Sequence, residues 1–334
     1  MVTGTGLSAQ LGMATEASYG TYAVPNRFLP FAASGESVAE VVEQIDAEVL
    51  GGPTPWRQAS AVRVHRKGAQ GDIPFIVMNT AFGIVLLHAL GRVTTDRPDP
   101  VGRPNEYRHV FAPDPAGKRG LSATVQIGRP RRDDTTVVPY TYLGGKITKF
   151  ELSCSAGETV QCTTTWDFVA VDMSKPLITP SWPSTVPLTF VDASLTVNGN
   201  PIPVRELSLS FDWSLGTDNW VLGGSKAEPV FSDRPTIEGT LSTWYMAAVE
   251  PLLMAWRNGQ AVGPLVFTAA YGEITPGQNN PYRLVVEIPT LIITGEPPQV
   301  GGPGPIEMDI TFEARATAAF APLTITYHTT DSTP

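Results

Sequence analysis

The chain has 334 residues, 42% of them hydrophobic, with 31 glycines, 31 prolines and a formal net charge of -9 at pH 7. That apolar content fills a real core and excludes a disordered chain, while the acidic balance argues against binding nucleic acid by neutralising its phosphates. Nothing approaches the ~20 apolar residues of a membrane span, and the Gly, Pro, Thr and Val content without helical periodicity reads as a mainly β protein with many turns.

Residues 1–26 are small and polar, as are residues 317–334, and both read as frayed tails or as arms that order only on assembly. The opening lacks the basic start and apolar core of a signal peptide. With two cysteines and no Asn-x-Ser/Thr sequon, the chain is expected to be made and folded in the cytosol. "GTGLSA" at 4–9 mimics a dinucleotide fingerprint, but no strand precedes it, so it carries no weight.

An alternating segment from Val38 to Ile45 leads to "EVLGG" at 48–52 and then to a loop with Trp56, Arg57, Arg63, Arg66 and Lys67. This loop follows the acidic run Glu36, Glu40, Glu43, Asp46 and Glu48. It reads either as a solvated hairpin loop or as a docking arm for head-to-tail stacking of identical copies, since exposed Trp and Arg anchor interfaces. Residues 72–91 then give a strand followed by an apolar helix, with Gly91 as its stop and His88 as a satisfied core histidine. Asp133 and Asp134 sit in "RPRRDDTT", a solvated loop whose arginines balance them.

Residues 145–168, "GKITKFELSCSAGETVQCTTTWDF", read as a hairpin. Thr148, Phe150, Leu152 and Cys154 share one face, and Val160, Cys162, Thr164, Trp166 and Phe168 continue it across a loop of Ala156, Gly157 and Glu158. In that register Cys162 faces Leu152 and Cys154 faces Val160. The thiols are then diagonal neighbours, poorly placed for a disulfide, and further zinc ligands with suitable spacing are lacking, so two reduced core cysteines are expected.

After the proline-bearing stretch "SKPLITPSWPSTVP" the order begins again. Val204 to Trp213 alternate, "WVLGG" follows at 220–224, and residues 236–259 repeat the strand and helix, with Gly259 as the stop and a break or restart at Pro251. A closing hairpin is expected from "LVVEIPTLIITG" and "PIEMDITFEARA". The expected organisation is an N-terminal arm (1–26), a first β unit (27–175), a linker (176–185), a second β unit (186–316) and a C-terminal arm (317–334). Charge divides unevenly between the halves. Residues 1–175 hold 17 Lys and Arg against 17 Asp and Glu, whereas residues 176–334 hold 6 against 15.

No Gly-x-Ser-x-Gly elbow, phosphate loop or His-Glu-x-x-His occurs, and His65, His88, His109 and His328 are far apart. No catalytic, metal or cofactor residue is nominated, and an enzyme is not expected. One rival is a monomeric β-sandwich module that binds carbohydrate or acts as an adhesin domain, for which Trp182, Trp220 and Trp244 are candidates, the last two reading rather as core.

"ATEASYGTYAVPNRFLPF", "GDIPFIVMNTAFGIVLLHALG", "IGRP", "TYLGGKITKFELSCSAGE" and "TTTWDF" occur in this order. Together they closely resemble the tail tube (major tail) proteins of long-tailed bacteriophages, particularly those of actinobacterial hosts, most densely over 14–170. The resemblance implies two tube-type β-sandwich or barrel units, each with a flanking helix. It also implies rings that stack into a non-contractile tail around a tape-measure protein, with tail terminator and distal tail proteins as further partners. The tube would be assembled in the host cytoplasm and would pass double-stranded DNA into the host without binding it specifically. With two units per chain, three chains make a pseudo-sixfold ring, a hexamer of chains being the competitor. On the polar face of the second closing hairpin, Glu287, Glu307, Asp309 and Glu313 are the lumen candidates.

Overall fold

Apolar residues at every second position draw about half of the chain into strands. The computed structural model describes residues 4–46, 61–133, 136–223, 226–300 and 302–334. Its first half contains β1 (Gln10–Thr15), β2 (Arg27–Phe28), β3 (Ala39–Asp46), β4 (Val62–Ile76), α1 (Gly83–Leu90), β5 (Gly91–Asp96), β6 (Tyr107–Pro113), α2 (Pro115–Lys118), β7 (Ala123–Pro130), β8 (Val137–Ser155), β9 (Gln161–Phe168) and β10 (Ala170–Asp172). The second half adds β11 (Ala193–Val197), β12 (Asn200–Pro201), β13 (Val204–Asp212), β14 (Leu215–Gly216), β15 (Val230–Phe231), β16 (Thr236–Trp244), α3 (Glu250–Arg257), β17 (Leu265–Tyr271), β18 (Tyr282–Ile288), β19 (Leu291–Ile293), β20 (Glu307–Ala314) and β21 (Thr324–Thr329).

The protein is mainly β. A twelve-stranded and a seven-stranded antiparallel sheet, neither closed into a barrel, share one hydrophobic core, an arrangement of the β-sandwich kind. Within the larger sheet runs the order β3-β4-β9-β8-β13-β16-β20-β19, four strands from each half. The halves have matching registers. Gly71 of β4 stands opposite Trp166 of β9, and Gly239 of β16 stands opposite Phe312 of β20. Next along, Val77 N–H donates to the Val160 carbonyl at 2.8 Å, and Tyr245 N–H donates to the Ile306 carbonyl at 2.8 Å.

β8 is long enough to serve two partners on one side. Its first part pairs with β7 and β10 and its later part with β9 and β13, the change falling near Gly144, which has φ +65°. A side chain there would be strained and would meet Val169 and Tyr19. The smaller sheet, in the order β12-β11-β17-β18-β21-β6-β5, also mixes the halves.

The predicted β8–β9 hairpin has Leu152 opposite Cys162, and both cysteines are free and buried. Burial pushes the Cys162 thiol well above its ordinary pKa, as expected of a small apolar filler. The alternation is offset at one point: a bulge between Ile147 and Lys149 turns Ile147 into the core. Pro251 sits in the first turn of α3, so it starts that helix. Gly91 caps α1 in the left-handed conformation, and Gly259 follows the Asn258 cap of α3 at φ +62°.

Two expectations fail. The terminal stretches contain strands: β1 buries Leu11 and Met13 between β7 and β2, and β21 buries Ile325 and Tyr327 between β18 and β6. Six residues of alternation among hydroxyl-rich neighbours were enough once a sheet edge was there to receive them. The second closing hairpin is β19–β20 alone, because the chain crosses from the smaller to the larger sheet between β18 and β19. The match of "EVLGG" to "WVLGG" involves residues 47–60 and 224–225, which lie outside the described residues, as does Asp134.

Candidate assembly surface

Across β9, β8, β13, β16 and β20, the face that points away from the core is lined mainly by carboxylates and hydroxyls. Along β20, Met308, Ile310 and Phe312 are buried, while Glu307 and Asp309 are exposed and Thr311 and Glu313 half-buried. The pairing registers extend these positions into rows across the sheet. One runs Glu313, Glu238, Ser210, Glu151, Thr163; the next runs Thr311, Thr240, Ser208, Ser153, Gln161. A third places Asp212, Lys149, Thr165 and Asp72 side by side.

Some of the charge is paired. Lys149 bonds Glu151 at 2.6 Å, Arg315 bonds Glu313 at 2.6 Å, and Arg205 pairs with Glu307 while its guanidinium lies over Trp244. The Glu151 contact raises the Lys149 pKa and keeps it charged. The Ser242 hydroxyl donates to Asp309 at 2.6 Å and the Thr165 hydroxyl donates to Asp72 at 2.6 Å. Glu313 and Glu238 stand directly opposite each other as like charges, an arrangement that costs a strand pair stability.

Of the four acids expected to line one face, Glu307, Asp309 and Glu313 do so. Glu287 does not: it lies on β18, opposite Val266 and Thr324 in the smaller sheet, because the β18–β19 crossing parts it from them. Glu206, Glu238 and Glu151 belong to the face and were missed. Their signal is the polar half of the alternation in "KFELSCS", "VRELSLSFD" and "TIEGTLSTW".

Among the basic-arm residues, Trp56 and Arg57 lie outside the described residues. Arg63 and Lys67 are exposed on β4. Arg66 is held within the chain, 3.6 Å from Glu43 and 3.4 Å from Asp218, with Trp220 beneath it. The tryptophans of the rival reading form no single platform. Trp182 is half-exposed with its edge towards Phe28, Trp220 lies under Arg66, and Trp244 is 38% exposed beside Arg205 rather than in the core.

His88 is buried, with Nε2 2.9 Å from the Thr15 hydroxyl. Burial, together with the nearby Lys118 and Lys146, lowers its pKa to about 3. Lys118 donates to the His88 carbonyl and burial holds its own pKa well below the usual value. Among the described residues, no group of three or more His, Cys, Asp or Glu could hold a metal ion, and no helix is long and apolar enough to cross a membrane.

The sequence profile of the phage tail tube protein family matches residues 6–316. The chain belongs to that family. No curated protein matches it. Membership makes this tail tube protein a structural component of a virion that self-assembles into a tube, and a two-faced sheet with a wet acidic side is a surface suited to that end.

Proposed function

We propose that this tail tube protein forms rings that stack head to tail into a non-contractile phage tail, with the acid- and hydroxyl-lined face of the large sheet turned to the lumen. The row from Glu313 through Glu238 to Glu151 carries this reading. Carboxylates in excess of the Lys149, Arg205 and Arg315 that pair with some of them leave the face net negative and repel phosphates, and the serines and threonines between them keep the wall wet, so double-stranded DNA slides past during ejection without a bound state. The role is structural, with no catalysis, and the chain works as part of a virion put together in the host cytoplasm. A tape-measure protein fills the lumen first, and tail terminator and distal tail proteins close the ends.

The same reading takes the chain as two tube-type units, 27–175 and 186–316, with the strand order β3-β4-β9-β8 answered by β13-β16-β20-β19. Three chains then supply six units per ring. Arg63 and Lys67 on the exposed arm, together with Trp56 and Arg57, which lie outside the described residues, serve the contact between stacked rings. The test is polymerisation of the purified chain with its tail-tip and tape-measure partners, followed by electron microscopy. Hollow tubes are the expected product. Particles that remain single chains in that mixture would overturn the tube reading.

A further inference from the structure

Three carboxylates are buried among the described residues: Glu16, Glu106 and Asp167. Two of them have both oxygens bonded. Glu16 accepts from the Thr124 hydroxyl and Gly144 N–H on one oxygen and from Gly20 N–H and the Ser122 hydroxyl on the other. Glu106 meets His328 with one oxygen and Arg103 and Asn280 with the other. Asp167 differs. Its Oδ1 accepts from Lys226 Nζ at 2.5 Å, while its Oδ2 is buried with no partner among the described residues. A buried ion pair repays its desolvation only when the remaining lone pairs are bonded too, so this contact is incomplete as an ion pair.

The lysine is committed to the same contact. The Lys226 side chain is 8% exposed, and Asp167 is the one acceptor of its ammonium among the described residues. Lys146 stands opposite Asp167 on β8, but its Nζ is taken by the Lys118 carbonyl and by Glu228, which leaves Lys226 as the free nitrogen. Backbone holds both ends. Asp167 lies within β9 between β8 and β4, and Lys226 is bridged to Trp220, with Ala227 N–H donating to the Asn219 carbonyl at 2.8 Å. A β-carbon at Gly68 would lie 3.2 Å from the Phe168 carbonyl oxygen and 3.6 Å from Nζ, so this glycine of β4 keeps the lysine's seat open.

From this geometry we infer that Lys226 and Asp167 become joined, Nζ to Cγ, in an isopeptide bond made by the folded chain itself. One proton passes from the ammonium to Oδ2, turning the pair into an amine and a carboxylic acid. The nitrogen lone pair attacks Cγ, a second proton moves from nitrogen to the departing oxygen, and the Cγ–Oδ2 bond breaks to release water. Oδ1 remains as the amide carbonyl. One positive and one negative charge become a neutral amide and a water molecule, so neither an activator nor an oxidant is required. The oxygen that leaves is the one the fold provides with no partner.

In water this condensation is opposed because both groups are ionised and solvated. Burial disfavours each charge, and it raises the pKa of the Asp167 carboxyl. Groups held in contact react with effective molarities of roughly 10⁵–10⁸ M, which offsets the cost of the unactivated acid. A cavity of about 120 Å³, lined by Gly68, Asp167, Trp220 and Lys226 among others, adjoins the pair and gives the released water a place to go. The bond closes residues 167–226 into a covalent ring and fastens the connection between β13 and β16 to β9. It forms within one chain and does not depend on tube assembly.

Mass spectrometry of the full-length chain, purified folded and then denatured, tests the bond. The wild-type chain should weigh one water less than its sequence requires. Tryptic digestion should give a branched peptide that carries both Asp167 and Lys226, with no cleavage after Lys226. Lys226→Arg keeps the positive charge and the ion pair but has no amine to acylate, so its chain should have the full mass. A wild-type chain of full mass that trypsin cleaves after Lys226 would overturn the inference. So would a water lost equally from Lys226→Arg, or one mapped to another position. If the variant does not fold, the presence or absence of the branched peptide from the wild-type chain decides alone.

Discussion

The two halves contain the same succession of strand, helix and hairpin but dispose of their helices differently. α1 is apolar all round and buried along nearly its whole length. Strand β1 covers it, with Thr15 bonding His88, and the chain end covers its start, where Asp331 accepts from Ala81 N–H at 2.6 Å and Pro334 lies against Gly83. α3 buries only Leu252 and Ala255 and leaves Met254 54% exposed. The lesson is that the helix of the first half is covered within the chain, by both termini, while that of the second half borders an open groove; each half keeps one edge strand, β3 and β19, with no strand beyond it among the described residues.

The long β13–β16 connection makes the same point. It folds back on the first half, where Lys226 meets Asp167 with both side chains nearly buried and Glu228 meets Lys146, while Phe231 packs on Trp213 just past β13. Removing Lys226 strands a buried carboxylate, so Lys226→Ala is expected to cost about 3–5 kcal/mol in denaturant unfolding. Arg205→Ala, which breaks an exposed pair with Glu307, should cost under about 1 kcal/mol. Equal losses would mean that the connection is not docked in solution.

The helices provide the next contrast. Leu86→Ala on α1 should cost about 2–5 kcal/mol because Leu86 is fully buried, and Met254→Ala on α3 about 0.5 kcal/mol or less. A large loss from Met254→Ala in the free chain would show that α3 is already covered.

Much of this was legible in the sequence where a pattern was long. The alternation of 145–168 yielded the right hairpin and register, and Gly91 marked the end of α1. What escaped depended on partners distant in sequence. β1 and β21 are strands because edges of β7, β18 and β6 receive them, and of the alternating stretch Val38 to Ile45 only Val38 is buried, the rest lying exposed on a hairpin that projects beyond the core. Glu287 follows the same local pattern as Glu307, and only the crossing between sheets separates them. Grouping the acids required the cross-strand register, which no single segment carries.

A pH titration sharpens the comparison at His88. Its folded-state pKa, lowered to about 3, lies below that of an unfolded histidine, so its contribution is full above about 6.5 and is lost as pH falls towards 3. Wild type should lose about 1.4 kcal/mol per pH unit below 6.5 relative to His88→Gln. Burial also lowers the pKa of His109 and His328, and raises that of Asp167 with the opposite sign, but these act in both proteins and cancel in the difference. Parallel pH profiles would place His88 in contact with solvent. The smallest effect belongs to the acidic face. Glu238→Gln, relieving the like charge opposite Glu313, should stabilise the free chain by about 0.2–1 kcal/mol. A loss of stability instead would mean that Glu238 has a favourable partner on that face.

The most direct test of the whole account is end-on microscopy of assembled tubes with class averages computed without imposed symmetry, alongside the mass of isolated rings. A hollow ring of three chains showing six lobes, three strong alternating with three weaker, is expected. A ring with the mass of six chains and six equal lobes, or no ring at all with tail-tip and tape-measure partners present, would contradict it.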